Sequence, residues 1–104
     1  MRYLHEKEKN LIGQLLDLSE NYEVVNLEKI QVKDLLDGCM GSIFFLSENK
    51  SEVNRKMYKC IAEKEFLDSD GVPISVTLNI DDDGLLYELD IWKVDFSPII
   101  KYPN

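Results

Sequence analysis

From Leu85 to Asp95 the chain reads Leu-Leu-Tyr-Glu-Leu-Asp-Ile-Trp-Lys-Val-Asp, with apolar and polar residues in alternation. A strand's period of two puts Leu85, Tyr87, Leu89 and Ile91 on one face and Glu88, Asp90 and Trp92 on the other. The first set builds a core. The second presents two carboxylates and an indole where a half-buried sheet normally meets water, a composition suited to partner binding more than to a catalytic cleft. One segment earlier, Val72, Ile74, Val76, Leu78 and Ile80 alternate with Ser75, Thr77 and Asn79. Two Asp-Gly turns, Asp68-Ser69-Asp70-Gly71 and Asp81-Asp82-Asp83-Gly84, separate segments at about 56–67, 72–80 and 85–94. Glycine accepts the positive φ of a tight hairpin, so the C-terminal half is predicted to be a three-stranded meander.

The N-terminal half follows a different period. Leu4, Leu11, Ile12, Leu15, Leu16 and Leu18 recur at helical spacing, which predicts an amphipathic helix from about His5 to about Ser19. Glu6 and Glu8 favour the positive end of its dipole, and Ser19, Glu20 and Asn21 stop it. Between Tyr22 and Leu36 the signal is mixed, with Ile30 and Val32 suggesting a short strand that ends near Leu36. The two glycines of Asp37-Gly38-Cys39-Met40-Gly41-Ser42 make a turn, and Ser42 to Leu46 reads as a central strand. Ser47 to Asn54 is a polar loop, with or without one helical turn. Pro98 ends the last strand, and the tail from Ile99 to Pro103 carries enough apolar residues to pack back. The predicted fold is α+β, one domain over residues 1–104: a twisted antiparallel sheet of four or five strands covered on one face by the helix.

Composition agrees with a single core. The 104 residues are 44% hydrophobic and 31% charged, too apolar for extensive disorder. No apolar run approaches the roughly 20 residues that cross a bilayer, and the first residues lack a secretory signal, so a cytosolic protein is expected. Cys39 and Cys60 lack metal-ligand spacing and are expected as free thiols. The net charge of −8 is uneven: residues 1–60 hold nine bases and ten acids, residues 61–104 three bases and ten acids. A C-terminal half at −7 repels nucleic acid and anionic lipid and accelerates encounter with a basic surface; the same acidity also serves solubility.

Candidate chemistry is sparse. Each acidic turn matches part of a calcium loop, but the bidentate glutamate that such a loop needs at its twelfth position is replaced by Asn79 for one turn and Trp92 for the other. Hairpin corners are the simpler reading, and no metal or cofactor is expected. His5 is the only histidine and lies at the predicted helix start, which leaves no convincing Ser-His-Asp or Cys-His pair. Glu88 and Asp90, about 6.5–7 Å apart on one strand face, are a conceivable acid–base pair, although no oxyanion donor or substrate clamp accompanies them. The glycines at 38 and 41 fit neither a Walker loop nor a dinucleotide fingerprint. Trp92 is either covered by the tail from Phe96 to Tyr102 or exposed as a binding anchor.

The Asp37–Ser42 turn, the Asp68-Ser69-Asp70-Gly71-Val72 hairpin and the strand Tyr87 to Phe96 resemble a family of short bacterial domains of unknown function, over about 2–100. Proteins of this kind are often encoded beside polymorphic or contact-dependent growth-inhibition toxins, so the resemblance implies an immunity protein; it brings no catalytic residues. The expectation is a non-enzymatic, cytosolic protein-binding module, monomer or homodimer, that neutralises a basic toxin. Its partner-binding residues are Asp68, Asp70, Asp81, Asp82, Asp83, Glu88, Asp90 and Trp92. The alternative is a structural or regulatory domain that self-associates as a homodimer through an edge strand, with acidity serving solubility only.

Overall fold

The computed structural model describes residues 1–19, 26–36, 38, 40–47 and 51–103. Its elements run β1 (Arg2–Tyr3), α1 (Glu6–Leu18), β2 (Gln31–Asp34), β3 (Ile43–Phe45), a single 3₁₀ turn at Glu52–Asn54, β4 (Met57–Leu67), β5 (Pro73–Asp81) and β6 (Leu86–Lys93). The strands form one antiparallel sheet in the order β1-β2-β3-β6-β5-β4. The meander is present as expected, and its last strand joins β3 in the middle of the sheet. Six strands replace the expected four or five. The additional edge strand, β1, is only two residues long and therefore leaves no periodic signal. Part of the mixed segment after Ser19 and the loop positions 48–50 lie outside the described residues, as does Cys39.

One face of the sheet holds the core. Leu11, Ile12 and Leu15 of α1 lie over β4 and β5 and are fully buried with Ile74, Val76, Leu78 and Leu89. Each such side chain contributes roughly 1.5–3 kcal/mol by leaving water. The C-terminal tail covers the part of the core the helix does not reach. Ile99 and Tyr102 pack against the cluster, and the Tyr102 ring sits over Gly41, where a Cβ would meet both it and Ile91 at 3.6 Å. Gly41 also has φ of +91°, so glycine serves there both as the turn residue and as the point of close approach. The helix start is tied to both short strands. Buried Glu8 accepts the His5 N–H at 2.7 Å and two Arg2 hydrogen bonds at 2.8 Å, and Arg2 reaches on to Asp34 at 2.8 Å.

The alternation of the last strand breaks at its start. Asn79 pairs with Glu88 while Ile80 pairs with Leu86, so Tyr87 is an extra residue in a β-bulge. Leu86 therefore turns into the core and Leu85 is exposed, which corrects the expected inward face of Leu85 and Tyr87. Of the four residues assigned inward, Leu89 and Ile91 keep their places. The carbonyls of Phe45 and Leu86 are met by buried Arg55, whose guanidinium donates to both and to Asp81 Oδ2 at 2.9 Å. The same guanidinium stands 5.3 Å from the ring centres of Phe44 and Tyr87.

Because Asp81 and Arg55 are both buried, removing one leaves the other uncompensated. Arg55→Met is expected to lower unfolding free energy by about 3–5 kcal/mol in a denaturant titration, with Arg55→Met/Asp81→Asn recovering part of the loss. A single-variant change below about 0.5 kcal/mol would show that Arg55 does not close the bulge.

Candidate protein-binding face

Alternate residues of the sheet point away from the helix and tail, and register identifies them. Glu88 lies opposite Phe44 on β3 and Asn79 on β5, Asp90 opposite Thr77, and Trp92 opposite Ser75. On β4, Cys60, Glu63 and Glu65 lie opposite Asn79, Thr77 and Ser75. Lys33 of β2 lies opposite Phe44. Directly opposed residues share a face with Cβ atoms about 4.5–5.5 Å apart, so these side chains form one surface. It carries four carboxylates, Glu63, Glu65, Glu88 and Asp90. Its one described lysine at the far end, Lys33, is bonded to Glu52 at 2.6 Å.

Trp92 is 44% exposed, and its described ring neighbour is Phe96, with ring centres 5.7 Å apart. Of the two states considered for Trp92, exposure is the one observed. Of the tail that could have covered it, Phe96 stands beside the indole while residues 99 and 102 pack against the core on the opposite face.

The acidic turns divide into buried and exposed members. Asp68 is buried: it accepts N–H groups from Ser69, Ile100 and Lys101 at 2.7–2.9 Å and pairs with buried Lys93 at 2.9 Å. Burial alone would raise its carboxyl, but these donors outweigh it and hold the group far below the ordinary range. Asp81 is likewise buried, accepting from Asp83 and Leu85 N–H at 2.9 Å as well as from Arg55, and the same balance lowers its carboxyl. Both carboxylates act within the fold, which corrects their expected place on the partner-binding surface. Asp70 bonds Lys93 at 2.7 Å at the rim, while Asp82 and Asp83 are exposed at the far turn. The two turns close opposite ends of β5 and do not converge. Among the described residues, no group of three or more His, Cys, Asp or Glu side chains could hold a metal ion.

Glu88 is the electrostatically unusual member of the face. Burial, the neighbouring charge of Asp90 and a hydrogen bond to Asp90 push its carboxyl up to about 7. Asn79 Nδ2 donates to Asp90 Oδ2 at 2.7 Å, which ties the pair to β5. Two clefts lie elsewhere. One of about 320 Å³ is lined by Arg2, Glu8, Asp34, Met40, Ile99 and Tyr102, and one of about 680 Å³ includes Tyr3, Ile30, Leu46, Arg55 and Leu85. Neither includes Glu88 or Asp90.

Residues 1–103 match a family described as Domain of unknown function (DUF6984). The chain belongs to that family. No curated protein and no solved structure matches the sequence. In this DUF6984 domain, no helix among the described residues is long and apolar enough to cross a membrane. Glu63 and Glu65 enter the face although neither was singled out from the sequence; their alternation on β4 with Lys64, whose Nζ donates to Gln14 of α1 at 3.0 Å, was the available signal.

A carboxyl raised above its unfolded value binds its proton more tightly in the folded state. Stability is therefore expected to fall as pH rises from the ordinary glutamate range through about 7, and Glu88→Gln should flatten that dependence. A carbon-13 NMR titration should give Glu88 a midpoint near 7; a midpoint near 4.5 contradicts the burial and Asp90 coupling.

Proposed function

We propose that this DUF6984 domain is an acidic protein-binding module whose open sheet face docks a basic partner, and that it serves as an immunity protein neutralising a cognate bacterial toxin. The reading is supported chiefly by the face itself: four carboxylates and a half-exposed indole on the side of the sheet away from the helix, with Glu63 and Glu65 exposed and Phe44 and Asn79 buried among them. Indole and carboxylate together suit binding, the first as a desolvated anchor and the second for steering. The −7 balance of residues 61–104 adds a long-range field that attracts a basic surface, such as the active site of a nuclease. The toxin assignment adds the resemblance noted above, while the family carries no described function.

Self-association through an edge strand is the alternative. Strand β4 is long, but register shifts after Met57 and Cys60 interrupt it, and Glu63, Lys64 and Glu65 charge its middle. Pairing two copies in antiparallel register through that straight part sets like charges against each other. Bulges and charges of this kind keep edge strands from pairing. The raised Glu88 carboxyl favours one further reading, acid–base chemistry with Asp90. Against it stands the pair's place among Phe44, Asn79 and Thr77, away from the two clefts described above.

The test is co-expression of the full chain with the toxin domain encoded immediately upstream, followed by affinity capture and a growth-protection assay. Binding and protection are expected, with Glu63→Lys/Glu65→Lys weakening the complex by about 10-fold or more. A native pair that neither binds nor protects would remove the immunity role.

A further inference from the structure

At one end of the open face the acidic surface gives way to an apolar corner. Leu67 lies opposite Pro73, the Val94 N–H donates to the Pro73 carbonyl, and Trp92 follows on the same face with Phe96 against it. Leu67 and Phe96 are each 72% exposed, Trp92 44% and Val94 39%. Glu65 and Glu63 border the corner along β4.

Phe96 is there at a conformational cost. Its φ of +64° makes it the one described residue other than glycine in the left-handed region. A bulky side chain is disfavoured in that region, and the other positive φ angles fall at Gly38, Gly41, Gly71 and Gly84. The turn does need this backbone. Phe96 N–H donates to the Lys93 carbonyl, after which the chain crosses to the core side and its 100 and 101 amides reach Asp68. Glycine would make the same turn with less strain and would leave no ring in water. The side chain, and not the turn, therefore accounts for phenylalanine at this position.

We propose that Leu67, Trp92, Val94 and Phe96 are the apolar anchor of the docking face, and that they receive a basic amphipathic segment of the partner. An apolar side chain of that segment seats on the Trp92 and Phe96 rings, and its lysines or arginines meet Glu63 and Glu65. Charge complementarity selects this occupant, since a second copy would bring the same glutamates against one another. The inference rests on the binding reading above for the face but not on the toxin assignment.

Trp92 is the only tryptophan in the chain, so its emission reports this corner directly. The probe is a synthetic peptide of alternating leucine and lysine, titrated into the full chain, with a leucine–glutamate peptide as counterpart. The leucine–lysine peptide is expected to shift emission to the blue and reduce acrylamide quenching. Phe96→Gly should weaken that response by about 10-fold while unfolding at the same or a higher denaturant concentration. Glu65→Lys should weaken it as well. Equal binding of the counterpart peptide, an undiminished response in Phe96→Gly, or a clear loss of stability in that variant would overturn the proposal. So would a blue shift that grows with protein concentration alone, which would assign the corner to a second copy. Failure of a toxin domain to bind would remove the immunity role and leave the peptide result standing.

Discussion

A six-stranded sheet has two faces, and the described part of this chain has one helix and one C-terminal tail to cover them. Both go to the same side. Helix α1 lies over β4 and β5, and the tail fills the space above Gly41 and Ile91. Burying the apolar alternation of β5 and β6 requires that cover, because those side chains supply most of the core. The consequence for the other face is a set of residues selected under different constraints: carboxylates, small polar residues and one indole.

Two buried ion pairs make the arrangement specific at its corners. Lys93 is fully buried beside Ile74, and it is tolerable there because Asp68 and Asp70 meet its ammonium at 2.9 and 2.7 Å. Burial lowers a lysine, but the two carboxylates outweigh it and keep the group charged. Asp68 also takes the tail amides, so the pair that neutralises Lys93 is the one that fastens the tail to the core side. At the other end of β5, Asp81 organises its own hairpin and neutralises Arg55, which in turn closes the Tyr87 bulge. Buried pairs of this sort add little net stability over apolar residues, yet a broken pair is costly, so they fix one chain path among several.

Local pattern carried most of the fold. The helix, the three meander strands and both Asp-Gly turns were readable, because each is specified by residues a few positions apart. What was not readable depended on distant partners. Asp68 and Asp81 look like every other aspartate in an acidic turn until Lys93 and Arg55 arrive from elsewhere in the chain. The bulge at Tyr87 shifted only the start of β6, so Leu89, Ile91, Glu88, Asp90 and Trp92 kept their predicted sides while Leu85 and Leu86 exchanged roles. Strand β1 is too short to show a period. Glu63 and Glu65 were hidden because β4 is an edge strand, exposed along most of its length, with weak contrast between its two faces.

Carbodiimide labelling of the native chain at neutral pH, read by peptide mass spectrometry, tests the two-sided sheet most directly. Rapid modification of Glu63 and Glu65 is expected, with Glu8, Asp68 and Asp81 protected until the chain is unfolded. Protection of Glu63 and Glu65 together with ready labelling of Asp68 and Asp81 would contradict the two-sided sheet, because the face assigned to partners would then be the covered one.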